Sequence, residues 1–258
     1  MNGCIRLRVV RSLKTRRTDA FLFGGHMKKL KAWLGYFSPG EWFLWSGSVL
    51  AIVLSFAFFD RTGYLTLIAS LVGVTSLVFN AKGNPLGQVL MIIFSLLYGI
   101  ISYTFAYYGE MVTYLGMTAP MALAALVSWL RNPYKGNRAE VRVNRLHGRE
   151  VALMGILAGV VTVIFCFTLA AFNTANLLPS TLSVTTSFIA AYLTARRSPF
   201  FALAYAANDV VLIVLWIMAT IVDPTYLSVT VCFVVFLIND LYGFISWLEM
   251  EKRQAESE

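Results

Sequence analysis

The chain has 258 residues, of which 58% are hydrophobic and only 13% are charged, and its formal net charge is +8. Soluble globular domains contain roughly 45–50% apolar and about 25% charged residues. The composition therefore excludes a soluble domain of this length and is typical of a protein embedded in a lipid bilayer.

The N-terminal segment, residues 1–41, is basic and is predicted to be cytoplasmic. It lacks the apolar core of a secretory signal peptide. Met27 begins a second, more ordinary start, Met-Lys-Lys-Leu-Lys, and the preceding Gly24-Gly25 can be encoded by GGAGG, a bacterial ribosome-binding sequence. We therefore hypothesise that translation begins at Met27. N-terminal sequencing of natively expressed protein tests this, since a mature chain that begins earlier would exclude it.

Apolar blocks follow, each long enough to cross a bilayer, which takes about 20 residues of helix. Backbone groups inside lipid have no water to bind, so these blocks must be helical, because membrane strands would show alternating polarity. Eight spans are predicted: 42–59, 64–80, 86–108, 110–131, 150–172, 177–195, 200–222 and 225–248. Residues 132–149 are predicted to form a cytoplasmic loop, and residues 249–258 a cytoplasmic tail.

The positive charges lie on one side of these spans. If the N-terminus is cytoplasmic, all of the 21 Lys and Arg residues except Arg61 fall in cytoplasmic segments. Acidic residues, Asp60, Glu110 and Asp223, mark the outer connections. Since cytoplasmic loops carry an excess of Lys and Arg, both termini are predicted to be cytoplasmic. No basic stretch is interleaved with aromatic residues, so nucleic-acid binding is not expected.

The spans repeat with an offset of four. The second and sixth spans each end in basic residues and a proline, Pro85 or Pro199, and the last span of each copy ends in Ser-Trp-Leu, at 128–130 and 246–248. Parallel repeats of this kind are a known transporter plan, with the site between the halves near the midplane. We predict an all-α protein with two parallel three-helix repeats joined by a linker helix (3+1+3). The repeats are 64–131 and 177–248, the linker helix is 150–172, and one extra N-terminal helix is 42–59.

Two Asn-Asp pairs, Asn208-Asp209 and Asn239-Asp240, lie inside apolar spans. A carboxylate in a membrane helix costs at least about 2.5–3.5 kcal/mol on insertion scales. At ~1.5 Å per residue both lie ~12–14 Å from the cytoplasmic end, close to the middle of the bilayer. The pairs therefore predict a polar site for a solute, although they could instead bond to each other and hold the helices together. Carboxyl groups that approach closely could also share a proton.

Aromatic and polar residues extend this predicted site. Each Asp is followed after seven residues, close to two helical turns, by a Trp on the same face; Trp216 could stack on an aromatic ring, and Trp247 is predicted to anchor its helix at the membrane interface. Gln88 and Tyr98 share one face of the third span, and Tyr242 lies one turn from Asn239. Packing, or solvation for Gln88, is the alternative role for these side chains.

No metal site or cofactor is expected. The cysteines, Cys4, Cys166 and Cys232, lack metal-binding or disulfide spacing, and neither His26 nor His147 has a potential co-ligand nearby.

Five motifs together resemble the PnuC family of bacterial nicotinamide riboside transporters, over about residues 42–250. They are Asn80-Ala-Lys-Gly83, Leu97-Tyr98-Gly99, Tyr108-Gly-Glu-Met111, Asn208-Asp209 ahead of Leu215-Trp216, and Asn239-Asp-Leu-Tyr-Gly-Phe244. The resemblance implies a fold related to the SWEET sugar transporters, in the bacterial plasma membrane. It also implies facilitated diffusion of nicotinamide riboside, with trapping by a cytosolic kinase that phosphorylates the riboside. Family members commonly present a Trp shortly before the Asn of the second repeat's middle helix, where Tyr205 stands here.

Other functions remain open at this point. Relatives carry thiamine, riboflavin or other nucleosides, and thiamine is the closest competitor because it is also a cationic heteroaromatic. Asp209 and Asp240 could serve a proton-coupled transporter. They could also serve an intramembrane aspartyl protease, but no Gly-rich active-site loop flanks them, so an enzyme is not expected. The sequence leaves a homo-oligomer open.

Overall fold

A computed structural model describes residues 35–104, 108–174 and 176–257. The segment that contains the proposed start at Met27 lies outside the described residues. Within the described part, eight helical spans are long and apolar enough to cross a membrane, which confirms the predicted all-α, eight-span class. The helices are Pro39–Phe59 (α1), Tyr64–Ala81 (α2), Leu86–Thr104 (α3), Tyr108–Thr113 (α4), Ala119–Arg131 (α5), Gly148–Ala171 (α6), Leu177–Ala195 (α7), Phe200–Val222 (α8) and Leu227–Glu256 (α9).

The described residues fall into two units, one that ends at Leu44 and one that begins at Trp45. In the first unit, the start of α1 is capped reciprocally: the Glu41 N–H donates to Ser38 Oγ at 3.2 Å, and the Ser38 N–H donates to Glu41 Oε2 at 2.6 Å. This capping box satisfies two backbone donors that a helix N-terminus leaves without a partner.

The fourth span is broken in the middle. Helices α4 and α5 are joined by a π-helical segment, Tyr114–Thr118. Pro120 follows, and because it has no N–H it cannot bond to the carbonyl of Gly116. The wider turn places the Tyr114 ring 4.7 Å from that of Tyr98 on α3. The predicted span 110–131 is confirmed as one membrane-spanning helix, Tyr108–Arg131, and the π-helical turn within it was not predicted.

Helices α2 and α7, the first helices of the two predicted repeats, end in the same way. After α2, Gly83 has φ 64°, and after α7, Arg197 has φ 60°. The Asn84 N–H donates to the carbonyl of Phe79, five residues back, and the Ser198 N–H donates to that of Leu193. Both ends are therefore closed by a left-handed residue in a Schellman-type cap.

Each of these helices packs against the last helix of the other repeat, α2 against α9 and α7 against α5. The indole N–H of Trp247 donates to the Asn80 carbonyl at 2.7 Å, and that of Trp129 donates to the Thr194 carbonyl at 2.8 Å. The two indole rings lie 5.4 Å apart. Such matched contacts are what a duplication would leave. Because Trp247 is fully buried and uses its N–H inside the bundle, the prediction that it is an interfacial anchor is wrong.

The connections divide the bundle into two ends. The acidic end carries Asp60, Glu110 and Asp223, and the basic end carries the connections at 82–85, 132–147 and 196–199. At the basic end a short hairpin, Pro133–Tyr134 (β1) and Asn137–Val141 (β2), lies within the predicted loop.

Helix α9 extends through most of the predicted tail and docks on this hairpin through Gln254. The Gln254 amide donates to Glu140 and to the Val141 carbonyl, both at 3.0 Å, and accepts from the Val143 N–H at 2.9 Å. The predicted loop 132–149 and residues 249–257 of the predicted tail therefore form a structured junction.

Candidate functional site

Three cavities of the described residues open at the acidic end, and Glu110 and Trp216 line all three. The largest, of about 310 Å³, lies between the start of α4, the α6–α7 connection and α8. The second, of about 260 Å³, lies among α2, α3, α8 and α9, and the third is a narrow pocket of about 40 Å³ that reaches Ser183 on α7. We call the three together the vestibule. Its two larger parts approach the size of small-molecule sites.

Trp216 forms an aromatic wall of the vestibule. Its ring lies parallel to that of Phe233 on α9 at 6.5 Å and contacts the Tyr226 ring at 5.5 Å. The side chain is only 7% exposed, yet its indole N–H has no acceptor among the described residues. Because an unpaired buried donor is costly, this N–H is a candidate contact for a bound molecule.

Tyr98 and Ser102, one turn apart on α3, line the 260 Å³ cavity together with Trp216. The Tyr98 ring packs against those of Phe94 at 5.3 Å and Tyr114 at 4.7 Å. The Ser102 hydroxyl is buried and has no partner among the described residues. This side of the cavity therefore has a fixed aromatic ring, with an unpaired hydroxyl buried beneath its surface.

Glu110, in the first turn of α4, was missed as a site residue because its place at the end of a span assigned it to an outer loop. It is half-buried, and the described residues give its carboxylate no hydrogen-bond or ion-pair partner. The motif Tyr108-Gly-Glu-Met111 was the only sequence signal that pointed to it.

Deeper in the bundle, Asp209 on α8 and Asp240 on α9 face each other closely enough for a side-chain hydrogen bond. They are 4% and 5% exposed, and Asp209 Oδ2 has no partner among the described residues. Two carboxyl groups can bond in this way only if one of them carries a proton. Tyr205 lies within electrostatic range of both, so the structure brings these three predicted residues together.

Asn208, beside this pair, is tied to α7. Its side-chain oxygen accepts from the hydroxyls of Ser183 at 3.3 Å, Thr186 at 2.8 Å and Ser187 at 3.1 Å. Its amide nitrogen has no partner among the described residues. Since Ser183 lines the narrow part of the vestibule, Asn208 lies directly behind the wall of that pocket.

Like Asn208, Asp209, Asp240 and Tyr205, three more predicted site residues line none of the three cavities, so only Trp216 and Tyr98 of the predicted set line the vestibule. The amide nitrogen of Asn239 donates to Ser48 Oγ on α1 at 2.9 Å and to the Val235 carbonyl at 2.8 Å, while its oxygen is buried and has no partner in the described part of the chain. Gln88 is buried and donates to Asn80 Oδ1 at 2.9 Å. Tyr242 is half-buried and lines none of the three cavities. Roles for these residues in substrate binding stay predictions.

No group of three or more His, Cys, Asp or Glu side chains that could hold a metal ion occurs within residues 35–104, 108–174 and 176–257.

Known proteins resemble the chain over most of its length. The nicotinamide mononucleotide transporter family matches residues 63–249. A nicotinamide riboside transporter PnuC from Neisseria mucosa is 26% identical over 218 residues, which cover 83% of this chain and 82% of the relative. A crystal structure of the vitamin B3 transporter PnuC is similar with a TM-score of 0.73 at 25% identity, covering 84% of this chain and 94% of that chain.

Proposed function

The chain belongs to the nicotinamide mononucleotide transporter family, and from this premise we propose that it carries nicotinamide riboside across the membrane by facilitated diffusion. It is a multi-pass membrane protein of a transporter family and not an enzyme. The similar protein from Neisseria mucosa is named for nicotinamide riboside, which supports this substrate over other vitamins. A cytosolic kinase that phosphorylates the riboside would then trap it inside the cell.

The observation that carries the proposal is the vestibule. Nicotinamide riboside has a cationic aromatic ring, a carboxamide and a ribose. The rings of Trp216 and Tyr98 offer aromatic faces to a cation, and Glu110 offers a carboxylate without a protein partner. The indole N–H and the Ser102 hydroxyl, which have no partners among the described residues, can bond to the carboxamide or the ribose. Each chemical part of the substrate thus has a counterpart in one space.

The buried polar layer lies on the proposed path inward. From the vestibule the substrate would pass Asn208, whose free amide nitrogen can donate to a ribose oxygen, and then Asp209, Asp240 and Tyr205. Like Gln88, Asn239 and Tyr242, these residues are proposed substrate contacts. Carboxyl groups inside the membrane are energetically costly, and packing alone does not require them. A role in the substrate path would explain why they are present.

The charge distribution supports an orientation. Lys and Arg collect at the basic end, and cytoplasmic segments carry such an excess. We therefore propose that both termini are cytoplasmic, in the plasma membrane of a bacterium, and that the vestibule faces outward. A substrate would then meet Glu110 and Trp216 before the deeper carboxyl groups.

Transport of radiolabelled nicotinamide riboside into proteoliposomes tests the proposal. We expect the inside concentration of the riboside to reach the outside concentration without a pH or ion gradient. Uptake no faster than in protein-free liposomes would refute the proposed function. Calorimetric titration with nicotinamide riboside, thiamine and riboflavin separates the vitamins, and we expect the riboside to bind most tightly.

The proximity of Asp209 and Asp240 favours one second candidate, a proton-coupled transporter, because a shared proton could be released or taken up during the cycle. The same proteoliposomes distinguish the two. Accumulation above the outside concentration only under a pH gradient would support coupling, and equilibration without a gradient supports facilitated diffusion.

A further inference from the structure

We propose that Glu110 selects substrates by the charge of their aromatic ring, so that the protein prefers oxidised, cationic nicotinamide riboside to its reduced, uncharged dihydro form. This inference rests on the proposed function and assigns one residue of the vestibule the discrimination between two molecules of nearly the same shape.

Glu110 differs from the other acidic residues of the vestibule because its carboxylate is free. Asp60 Oδ1 accepts the backbone N–H groups of Gly63 at 2.9 Å and Thr62 at 3.2 Å, and thus holds the α1–α2 turn. Asp223 Oδ1 accepts the Thr225 N–H at 2.9 Å and its hydroxyl at 2.8 Å. Glu110 has no such partner among the described residues. The first two carboxylates therefore hold turns in place, and Glu110 remains to bind a ligand.

The lining of the vestibule gives Glu110 no positive partner. Neither Lys nor Arg is among the residues that line the three cavities. A carboxylate that is partly withdrawn from water is screened less than one on the surface. A cation that enters the vestibule would therefore be attracted to Glu110 without competition from a protein side chain.

Two deeply buried polar groups show that the space is suited to a ligand with hydrogen-bonding atoms. Trp216 is 7% exposed and Ser102 is 1% exposed, both line the 260 Å³ cavity with Glu110, and neither polar group has a partner among the described residues. The Trp216 N–H is a donor only, and the Ser102 hydroxyl can donate or accept. The carboxamide and the ribose are common to both forms, so these two polar groups do not distinguish them. The ring charge is distinguished by the Glu110 carboxylate, and the aromatic faces of Trp216 and Tyr98 add to the preference for a cation.

The test measures the affinity for the oxidised and the dihydro riboside with three proteins reconstituted in proteoliposomes. The proteins are the wild type, Glu110→Gln and Glu249→Gln. Glu249 is exposed on α9 at the opposite end and controls for the loss of one negative charge. We expect the wild type and Glu249→Gln to bind the oxidised form about tenfold more tightly, the scale of one interaction with a charged group. Glu110→Gln should lose about that factor for the oxidised form and little for the dihydro form.

Equal losses for both forms, or no loss for either, would overturn the proposal. Glu110→Asp keeps the charge and should keep the preference, so it tests the inference even if Glu110→Gln folds poorly in detergent. If the wild type carries thiamine but not the riboside, the proposed substrate is wrong. Charge selection can then be measured separately with thiamine and its uncharged 3-deaza analogue, and an unchanged preference in Glu110→Gln would refute it.

Discussion

Trp216 and Trp129 offer a matched pair of substitutions that separates substrate binding from packing. Both side chains are buried, but the Trp216 N–H has no acceptor among the described residues, whereas the Trp129 N–H donates to the Thr194 carbonyl at 2.8 Å. Trp→Phe removes the N–H in each case and keeps an aromatic ring. The same chemical change should therefore have opposite consequences at the two positions.

At Trp216, the Phe variant removes an unpaired donor and keeps a ring beside Phe233, so we expect the free energy of unfolding to change by less than about 1.5 kcal/mol. If the N–H bonds to the substrate, affinity should fall by the net value of one hydrogen bond, about 0.5–1.5 kcal/mol, or about two- to twelvefold in Kd. At Trp129, the Phe variant removes one hydrogen bond from the Thr194 carbonyl, which keeps the Arg197 N–H as a partner, so the loss should cost about 0.5–1.5 kcal/mol of stability, with no change in Kd.

Thermal unfolding in detergent and calorimetric titration with nicotinamide riboside measure the two effects on the same samples. The reasoning would be refuted if Trp216→Phe bound the riboside as tightly as the wild type, because the indole N–H would then not be a substrate contact. A drop in the unfolding temperature of Trp216→Phe larger than that of Trp129→Phe would also contradict it, since it would mean that the N–H of Trp216 is satisfied inside the protein.

Three further outcomes are expected. Asn208→Ala should lower both riboside affinity and stability, the latter by about 0.6 kcal/mol for each of the hydroxyls that lose their acceptor, as followed by titration and thermal unfolding. Gln254→Ala should lower the unfolding temperature, because the Val143 N–H and the Val141 carbonyl lose a partner, while riboside affinity stays unchanged. Hydrogen bonds from the Thr225 N–H and hydroxyl lower the pKa of Asp223. Its stabilising contribution is therefore present above the unfolded-state pKa and is lost as the pH falls through the lowered folded-state pKa, a pH dependence that Asp223→Asn should lack in acid unfolding curves.

The spans were predictable because they follow from length, hydropathy and charge, which act locally along the chain. The interruption at Tyr114–Thr118 was missed because apolar composition does not show which carbonyl loses its donor to Pro120. The hairpin and the end of α9 were missed for a related reason. Gln254 and Glu140 are polar residues in basic segments, and their contact joins positions more than a hundred residues apart.

The site was only partly predictable, because spacing places residues on a helix face but does not say what that face meets. Trp216 and Trp247 each follow an Asp by seven residues, yet one lines the vestibule and the other donates to a carbonyl of α2. Asn239 was likewise grouped with Asn208 because both precede an Asp, and Gln88 was grouped with Tyr98 because they share a helix face. Their partners, Ser48 and Asn80, lie on helices whose neighbours the sequence pattern did not specify.

The matched ends of α2 and α7 allow residues of α3 and α8 to be aligned between the two predicted repeats. Counting from Pro85 and from Pro199, Ser95 on α3 corresponds to Asp209 on α8, and Ser102 corresponds to Trp216. Small hydroxyl side chains thus stand in the first repeat where the second has a carboxyl group and an indole ring. Two large side chains at both sets of positions would compete for the space between α3 and α8, whereas Ser102 opposite Trp216 leaves a cavity of about 260 Å³. If the two halves are repeats, as the sequence predicts, the difference between these corresponding side chains accounts for the space that a substrate can occupy.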